Sequence, residues 1–394
     1  MTKYDATKTL GIIGGGQLGR MICFAAHTMG FRTVVLSDQQ NSPASFVSNH
    51  TIVAKYDDKL ALKKFAKLVD VVTFEFENIP FEPVEYLAAQ VDVFPKAEIL
   101  KITQNRILEK NFLNSIGAKT ANYAAISSLE ELQENLKKFG KAILKTATMG
   151  YDGKGQFVLE NATQAKKAWT QVASQKLILE KFCPFNSEIS VIVARSRSGE
   201  IKAFEPLTNI HKNGILDESH FPAKISASLK TKAQNLAKKI AKELDLAGVM
   251  AVEMFVVKDQ LLVNELAPRP HNSGHFSMDA AVTSQFEQLV RAVFDLPLGD
   301  CSFHSTGLMK NLLGADVNLL EKFYKNPRAK IHLYGKLEAK SGRKMGHVNI
   351  LKNNIRHPWN AKRFENLVRL TSSLKHTRSS VLRTKDDGTR LTTN

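Results

Sequence analysis

The chain has 394 residues, a length that allows two or three domains. Hydrophobic residues make up 43% of it and charged residues 24%, which is ordinary for a globular protein and excludes a collagen-like, coiled-coil or wholly disordered chain. The three cysteines, Cys23, Cys183 and Cys301, lie far apart, which excludes a disulfide scaffold and a zinc ribbon. The sequence contains neither a membrane span of about 18 apolar residues nor the apolar core of a signal peptide, so we expect a soluble, cytosolic protein.

The net charge of +17 has two interpretations. Lysine and arginine neutralise phosphates, so a basic surface is typical of nucleic-acid-binding proteins. Here lysines greatly outnumber arginines and are spread along the whole chain, which favours a lysine-rich solvated surface instead. Such a surface also attracts small anionic substrates. We therefore expect neither a nucleic-acid partner nor a membrane partner.

Residues 9–100 are predicted to alternate between strands and helices, the pattern of a doubly wound parallel sheet. In chain order, the predicted elements are a strand over Leu10–Ile13, a helix over Gln17–Thr28, a strand over Thr33–Leu36, a helix over Lys59–Leu68 and a strand over Val71–Phe74. The fold class expected for this part is therefore α/β.

From about Gln104 the predicted elements change to shorter strands and hairpins. They are a helix over Arg106–Ser115, strands over Ala142–Lys145, Phe157–Leu159, Leu177–Glu180, Glu188–Val193 and Ile201–Phe204, a helix near Thr231–Leu244, and a strand pair over Val249–Val257 and Leu261–Leu266. A third segment past about Phe303 has predicted strands near Lys330–Leu337 and His347–Leu351. The polar, basic stretch from about His376 is predicted to be a disordered tail.

A GxGxxG motif formed by Gly14, Gly16 and Gly19 lies between the first predicted strand and helix, and Asp38 follows the next strand. This spacing is typical of dinucleotide-binding folds, in which the acidic residue holds a ribose. Taken alone, the motif favours a nicotinamide-dependent enzyme. A weaker interpretation places some anion on the helix N-terminus. A tight strand–helix turn without a ligand is the alternative.

A second glycine-rich loop joins the strands Ala142–Lys145 and Phe157–Leu159. Its residues are Gly150, Tyr151, Asp152, Gly153, Lys154 and Gly155. It is not a Walker A loop, because Gln156 stands where that motif requires lysine. With Lys145 at its base and Lys154 at its tip, the hairpin suits a lid over a polyphosphate. A flexible turn without a ligand is the alternative.

Two glutamates are predicted to face each other across the strand pair that ends at Leu266. A turn centred on Asp259 places Glu253 directly opposite Glu265, with Cβ atoms ~5 Å apart. Like charges in this position destabilise the pair unless something neutralises them. Carboxylate oxygens indicate Mg²⁺, which proteins hold through one or two carboxylates plus substrate phosphates. A protonated carboxyl or a neighbouring lysine is the alternative.

The segment from Pro268 to His275 follows at once and is dense in hydrogen-bond donors. Its prolines fix the path of the chain, while Arg269, His271, Asn272 and His275 present polar groups to the cleft beside the predicted metal site. A purely structural role for the histidines is the alternative.

Together these motifs resemble those of the ATP-grasp enzymes, and more narrowly those of the N5-carboxyaminoimidazole ribonucleotide synthetase family. The segments that carry the resemblance are GIIGGGQLGRM at 11–21, TFEFENIP at 73–80, QNRILEK at 104–110, GYDGKGQ at 150–156, SEIS at 187–190, EPLTNIHKNGIL at 205–216, VMAVEMF at 249–255, NELAPRPHNSGH at 264–275 and GRKMGHVN at 342–349. The resemblance spans about residues 8–350. It replaces the nicotinamide interpretation, because in this family the first glycine loop lies on the ribonucleotide side of the active site.

The resemblance implies an ATP-grasp fold in three parts. These are a Rossmann-like domain over 1–103, an ATP-grasp domain over 104–302 with a lid subdomain at about 120–185, and a small C-terminal domain over 303–375, before the tail over 376–394. The activity it implies is the use of ATP, Mg²⁺ and bicarbonate to carboxylate 5-aminoimidazole ribonucleotide through carboxyphosphate in purine biosynthesis, in a homodimer. Another ATP-grasp carboxylate–amine ligase and an NAD-dependent oxidoreductase are the alternatives.

The resemblance also implies roles for individual residues. The implied ATP site contains Arg106, Lys145, the lid from Gly150 to Gln156, Glu180, Lys181, Phe182, Cys183, Glu188, His211, Asn264 and Glu265. The implied ribonucleotide site contains Gln17, Leu18, Glu75, His271, Asn272, Lys336 and Arg343. The implied catalytic residues are Lys145, Arg269 and His275, and the implied metal ligands are Glu253 and Glu265.

Overall fold

The computed structural model describes residues 5, 7–148, 155–172 and 176–352. Three sequence-based predictions therefore concern segments outside the described residues. They are the tip of the glycine-rich lid over 150–154, the end of the predicted C-terminal domain over 353–375, and the tail over 376–394.

The N-terminal part of the chain forms a parallel sheet, here called the front sheet. Its strands are β1 (Thr9–Ile13), β2 (Arg32–Ser37), β3 (His50–Val53), β4 (Val71–Phe74) and β5 (Asp92–Val93), and its helices are α1 (Gln17–Thr28), α2 (Lys59–Ala66) and α3 (Phe81–Ala88). The strands pair in the order β3-β2-β1-β4-β5. Strands β1, β2 and β4 are almost wholly buried and apolar, as expected when helices cover both faces of a parallel sheet. The predicted parallel sheet is confirmed.

An antiparallel sheet, here called the lid sheet, follows α4 (Ala97–Thr103) and α5 (Arg106–Ser115). Its elements are β6 (Tyr123–Ile126), α6 (Leu129–Phe139), β7 (Ala142–Thr146), β8 (Gln156–Leu159), α7 (Ala165–Val172) and β9 (Leu177–Lys181). The strand order is β6-β9-β7-β8, and Lys145 pairs with Gln156 at the end of the predicted β7–β8 hairpin. Leu132 of α6, Ala168 of α7 and Leu179 of β9 share one apolar cluster, so this unit has a core of its own.

The largest sheet, here called the central sheet, carries the rest of the described chain. Its strands are β10 (Ser187–Arg195), β11 (Ile201–Ala203), β12 (Leu207–Lys212), β13 (Ile215–Phe221), β14 (Gly248–Val257), β15 (Gln260–Ala267), β16 (Gly307–Leu313), β17 (Ala329–Leu333) and β18 (Lys344–Leu351). They lie in the order β15-β14-β10-β12-β13-β16-β18-β17, and β11 pairs with β10. The strands past residue 303 thus continue the central sheet through β13 and β16.

The helices that accompany the central sheet are α8 (Ala227–Glu243), α9 (Ser277–Ala280), α10 (Gln285–Val293) and α11 (Leu320–Tyr324). In α8, the apolar residues Leu229, Ala233, Ala237 and Ile240 are buried at helical spacing, and the lysines between them are partly or fully exposed. The predicted amphipathic helix is confirmed and begins earlier than expected, because Ser226 caps it by accepting from the Leu229 amide. None of the described helices combines the length and the apolar character needed to cross a membrane.

The predicted strand over Lys330–Leu337 is too long. Strand β17 ends at Leu333, because Gly335 adopts φ +74°, a left-handed conformation that interrupts an extended chain. Strands β17 and β18 nevertheless form an antiparallel hairpin, so the segment over 334–343 connects them at one end of the central sheet.

Candidate active site

A cavity of about 590 Å³ lies between the front sheet, the lid sheet and the central sheet. Gln17 at the start of α1, Lys145 on β7, Glu253 on β14 and Tyr334 after β17 all line it. Most of the predicted site residues with described positions meet here: Gln17, Leu18, Glu75, Arg106, Lys145, Gln156, Glu188, His211, Glu253, Asn264, Glu265, Arg269, His271, Asn272 and His275. Residues that are far apart in the sequence therefore converge on one chamber.

Other predicted site residues are not among the described residues that line the cavity. They are Gly155, Glu180, Lys181, Phe182, Cys183, Lys336 and Arg343. The lid residues Gly150, Tyr151, Asp152, Gly153 and Lys154 lie outside the described part of the chain. Their predicted roles stay predictions.

Glu253 and Glu265 are direct cross-strand neighbours on β14 and β15, as predicted. The predicted turn is wrong, because β14 and β15 are joined by only Lys258 and Asp259, and Lys258 has φ +55°. A β-bulge at Asn264 adds one residue to β15 and restores the pairing of the two glutamates. Burial and the charge of Glu265 raise the pKa of Glu253 to about 8, so a cation nearby would favour its ionised form.

Glu109 on α5 adds a third carboxyl beside this pair. It is buried, and its Oε1 accepts a hydrogen bond of 2.7 Å from the Leu266 amide. Burial and the charge of Glu265 raise the pKa of Glu109 to about 8. Three carboxyl groups therefore concentrate negative potential at one wall of the cavity. The described residues contain no group of three or more His, Cys, Asp or Glu side chains that could hold a metal ion by themselves.

Lys145 is held in place by a buried network of opposite charge. Its Nζ lies 2.8 Å from a carboxylate oxygen of Glu180, and Lys110 on α5 lies 3.3 Å from the other oxygen. Burial alone would raise the pKa of Glu180, but Lys145 and Lys110 lower it to about 2. The Glu180 side chain thus orients Lys145 toward the cavity. Because this carboxylate is already bound by two lysines, a contact of Glu180 with a purine would have to come from the Glu180 backbone.

Glu188 and His211 face the cavity from the neighbouring strands β10 and β12. The His211 Nδ1 and a carboxylate oxygen of Glu188 lie 2.7 Å apart. Burial alone would lower the pKa of His211, but its hydrogen bond to Glu188 and the charge of Glu188 raise it overall. Phe185 and Phe255 stack at 4.6 Å nearby and give this end of the cavity an apolar wall.

The first glycine-rich loop binds the side-chain carboxylate of Glu75. The amides of Gly16 and Gly19 at the start of α1 donate to Glu75, the second at 2.9 Å. A Cβ atom on Gly14 or Gly16 would clash with the Glu75 side chain, which explains why both are glycine. The dinucleotide interpretation of this motif is wrong, because Glu75 occupies the helix N-terminus that a pyrophosphate would need. Asp38 instead accepts from the Tyr56 hydroxyl.

The segment after β15 brings its polar groups to the cavity. The Nε of Arg269 donates to Glu77, which links this segment to the front sheet. His271 Nε2 lies 3.3 Å from Glu253, and burial lowers the pKa of both His271 and His275 well below the usual value. The buried Asn272 amide has no hydrogen-bond partner among the described residues, on either its nitrogen or its oxygen. Such a side chain in a cavity wall is suited to binding a polar ligand.

Lys336 and Arg343 lie in the segment between β17 and β18. Burial and the charge of Arg343 lower the pKa of Lys336 to about 8, while Glu75 acts in the opposite direction. Lys336 Nζ also donates to the Lys344 carbonyl at 2.8 Å, and Lys344 lines the cavity. Two cations that repel each other favour an anionic group between them.

Several residues that shape the site are absent from the sequence prediction. Glu77, Glu109 and Lys110 lie inside the motifs TFEFENIP and QNRILEK, but only the tertiary structure shows their partners. Phe185 and Phe255 are missed because isolated aromatic residues carry no recognisable pattern. The period-2 alternation of Glu253 and Phe255 along β14 is the one signal that places Phe255 on the cavity face.

Family models match three consecutive parts of the chain. A ribonucleotide synthetase preATP-grasp domain matches residues 7–104, an ATP-grasp domain matches 111–286, and a phosphoribosylaminoimidazole carboxylase C-terminal domain matches 307–357. An N5-carboxyaminoimidazole ribonucleotide synthase of Brucella melitensis is 46% identical over 355 residues, which cover 89% of this chain and 98% of that protein. The chain belongs to the N5-carboxyaminoimidazole ribonucleotide synthase family.

The relatives differ in how much of their own length this chain matches. A bifunctional purine synthesis protein of Dictyostelium discoideum is 45% identical over 364 residues, which cover 86% of this chain but only 36% of that protein. A solved structure of N5-carboxyaminoimidazole synthase from Aspergillus clavatus, in complex with ADP and 5-aminoimidazole ribonucleotide, has a TM-score of 0.87 and 28% identity and covers 93% of this chain and 99% of that one. The ATP-grasp fold predicted from the sequence is confirmed.

Proposed function

We propose that this protein carboxylates the exocyclic amine of 5-aminoimidazole ribonucleotide at the expense of ATP. The products are N5-carboxyaminoimidazole ribonucleotide, ADP and phosphate, and the reaction belongs to purine biosynthesis. The observation that carries the proposal is the single cavity in which Lys145, the Glu253–Glu265 pair and the unpartnered Asn272 amide meet. A related protein with ADP and this ribonucleotide bound supports the choice of both ligands.

The residues divide into two sides of the cavity. On the ATP side we place Arg106, Lys145, Gln156, Glu188, His211 and Asn264, and we assign the lid residues 150–155 and residues 180–183 to the same side. On the ribonucleotide side we place Gln17, Leu18, Glu75, His271 and Asn272, with Lys336 and Arg343 as the site of the 5′-phosphate. Phosphoryl transfer needs mainly positioning and charge neutralisation, which Lys145 and the lid amides supply.

Mg²⁺ fits the carboxylate pair. Glu253 and Glu265 present oxygen ligands, and a cation beside them would offset the burial and like charge that raise the pKa of Glu253. Two carboxylates without a third protein ligand suit an ion that completes its shell with substrate phosphates and water. Bound there, the ion would neutralise charge on the transferred phosphoryl group.

Two steps make up the reaction, and each forms one bond and breaks another. A bicarbonate oxygen attacks the γ-phosphorus of ATP, the bond to ADP breaks, and carboxyphosphate forms. The amine nitrogen then forms a bond to the carboxyl carbon and loses a proton to the departing phosphate, as the bond from that carbon to the phosphate oxygen breaks. Carboxyphosphate hydrolyses readily, so we assign the lid hairpin the task of excluding water. Arg269, fixed by Glu77, and His275 lie where they can bind the carboxyl and phosphate oxygens.

We also retain the predicted divisions at about residues 103 and 302, since the three family matches fall within them. We further infer a homodimer, for which sedimentation is the test. A cytoplasmic location is supported by the unpaired cysteines Cys23, Cys183 and Cys301.

The direct test is ADP release with each substrate omitted in turn. We expect rapid ADP release only with ATP, Mg²⁺, bicarbonate and 5-aminoimidazole ribonucleotide together. An unchanged rate of ADP release when the ribonucleotide or bicarbonate is omitted would contradict the proposal. In the same preparation, NADH fluorescence should not change, because Glu75 occupies the position of the pyrophosphate.

A further inference from the structure

A continuous chain of buried polar side chains runs through the central sheet and ends at His271. Its members are Ser219 on β13, Asn209 on β12, Ser190 on β10 and Ser273 in the segment after β15, and all four are buried. Asn209 and Ser219 are cross-strand neighbours, and Ser190 is the cross-strand neighbour of Glu253. Burying polar groups in a sheet interior costs free energy unless each has a hydrogen-bond partner. The hydrogen bonds that join these four side chains are therefore needed to keep them buried.

The hydrogen bonds of the chain run in one direction. The Ser219 hydroxyl donates to Asn209 Oδ1 at 2.8 Å, Asn209 Nδ2 donates to the Ser190 hydroxyl at 3.0 Å, and Ser190 donates to Ser273 Oγ at 2.8 Å. The Ser273 hydroxyl lies 2.9 Å from His271 Nδ1 and, having accepted from Ser190, has its own proton to donate. The direction therefore points from the sheet interior toward His271.

The backbone settles which ring nitrogen of His271 carries the proton. The Ser273 amide lies 3.3 Å from His271 Nδ1, and an amide N–H can only donate. Nδ1 is therefore an acceptor without a proton, and the neutral ring must carry its proton on Nε2. Nε2 faces Glu253 at 3.3 Å, on the cavity side. Gln285 holds the backbone of His271 from both sides, donating to its carbonyl at 2.8 Å and accepting from its amide at 2.9 Å.

We propose that Ser273, backed by Ser190, Asn209 and Ser219, is a positioning residue that fixes His271 as an Nε2–H hydrogen-bond donor to the cavity. The proposal deepens the proposed function and rests on it for the identity of the ligand. A ring nitrogen that bears a proton has no lone pair, so His271 cannot take the proton of the substrate amine at Nε2. It donates instead to an anionic oxygen, either of Glu253 or of a carboxyl or phosphoryl group in the cavity.

The first test reads the ring nitrogens directly. The full chain is labelled with ¹⁵N-histidine, and the His271 signals are assigned by their loss in His271→Gln. We expect Nδ1 to show the shift of an unprotonated nitrogen and Nε2 that of a protonated one, before and after addition of Mg-ADP. A protonated Nδ1 in the wild-type protein would overturn the proposal.

The second test compares Ser273 and Ser190 with a buried serine that has no part in this hydrogen-bond network. Ser196 directly follows β10, is buried and accepts from the Glu200 amide, but has no contact with His271 among the described residues. We expect Ser273→Ala to lower kcat about tenfold, the loss of one hydrogen bond, with the KM for ATP within about twofold. Ser190→Ala should act in the same direction and keeps the test usable if Ser273→Ala folds poorly. Ser196→Ala should lower Tm comparably and leave kcat unchanged.

The outcomes separate this inference from the proposed function. If Ser273→Ala and Ser190→Ala lose only thermal stability, as Ser196→Ala does, the chain is merely structural and the proposal is wrong. If the wild-type protein shows no ribonucleotide-dependent ADP release, the proposed function fails whatever the nitrogen shifts show. A normal reaction together with a protonated Nδ1 would refute the positioning role alone.

Discussion

At the scale of single residues, Glu265 stands between two other carboxyl groups. It is the cross-strand neighbour of Glu253, and its charge contributes to the raised pKa of both Glu253 and Glu109. In a protein that binds no cation there, this arrangement would only cost stability. The divalent ion proposed above would offset this cost by neutralising the carboxylates.

Glu265→Gln should abolish most activity without unfolding the protein. The change removes a ligand and a charge from the metal site, so we expect turnover to fall at least about 100-fold, the scale of losing one preorganised electrostatic group. Tm should stay level or rise, because repulsion with Glu253 and Glu109 is relieved. Steady-state ADP release at saturating Mg²⁺ and a thermal melt measure both, with the exposed Glu134→Gln as control. Near-normal turnover would show that Glu265 is not a metal ligand.

Arg343→Ala should weaken binding of the ribonucleotide and spare ATP. Arg343 lies close enough to Lys336 for its charge to lower the pKa of Lys336, and arginine can bind a phosphate dianion through two hydrogen bonds. Losing a charge-assisted contact worth about 1.5–3 kcal/mol should raise the KM for the ribonucleotide about 10- to 150-fold. Initial rates with each substrate varied in turn measure the two KM values. A rise in the KM for ATP instead would place Arg343 on the nucleotide side.

The pKa of Lys336 predicts how ribonucleotide binding depends on pH. A lowered lysine pKa means that its charge is lost at lower pH than usual, here as pH rises through about 8. The KM for the ribonucleotide should therefore rise above this pH, while the phosphate stays dianionic. Lys336→Arg should flatten the profile, because arginine keeps its charge. A wild-type KM that stays constant between pH 7 and pH 9, chosen to bracket the value of about 8, would contradict the assignment.

At the scale of elements, helix α5 connects the lid sheet with the central sheet. Asn105 caps its first turn, Arg106 donates to the Thr146 carbonyl, Glu109 accepts from the Leu266 amide and Lys110 contacts Glu180. The helix thereby orients charged groups on both sides of the end of the cavity that we propose for ATP. Helix α5 thus holds Lys145 indirectly, because Lys110 contacts Glu180 and Glu180 contacts Lys145.

Lys110→Met should loosen this connection. Glu180 would keep Lys145 but lose its second buried cation, and a charged hydrogen bond of this kind is worth about 1.5–3 kcal/mol. We expect a clear loss of unfolding free energy in urea and a higher KM for ATP, since Lys145 is less well oriented. Lys138→Met removes an exposed lysine that also pairs with a glutamate, and should change stability by no more than about 0.5 kcal/mol. Equal effects of the two changes would refute the role of Lys110.

Local patterns predicted some elements well and others only in part. Strand β4 and helices α1 and α5 follow directly from periodicity and turn residues. The Glu253–Glu265 pairing was predicted from residue numbers only because two differences cancel: the real turn is shorter, and a bulge at Asn264 restores the pairing. No local signal marks such a bulge. The GxGxxG motif was misinterpreted for a different reason. Only the tertiary structure shows that the anion bound by its amides is the carboxylate of Glu75 and not a ligand.

At the scale of the whole molecule, the central sheet extends from the ATP end into the C-terminal strands. Glu218 on β13 pairs with Lys310 on β16, which joins segments separated by helices α8, α9 and α10. Pairing over such a distance leaves no trace in local periodicity, so the sequence predicted a separate small domain without showing that its strands continue the sheet. The convergence of site residues on one cavity was predictable only through the family resemblance.

Deleting residues 379–394 should change activity and stability little. The segment lies outside the described residues, and the prediction rests on its polar, basic composition without apolar periodicity. Turnover and Tm of the shortened chain should match those of the full chain. A marked fall in either would show that the segment packs against the protein.

The most direct measurement follows oxygen from bicarbonate into phosphate. In the proposed sequence, the bicarbonate oxygen that attacks ATP stays on the phosphorus when the bond to carbon breaks. With ¹⁸O-labelled bicarbonate, ATP and 5-aminoimidazole ribonucleotide, mass spectrometry should find one labelled oxygen in the released phosphate for each ADP formed. Phosphate without the label would show that ATP is cleaved by water or transferred to another acceptor, and would contradict the proposed carboxylation.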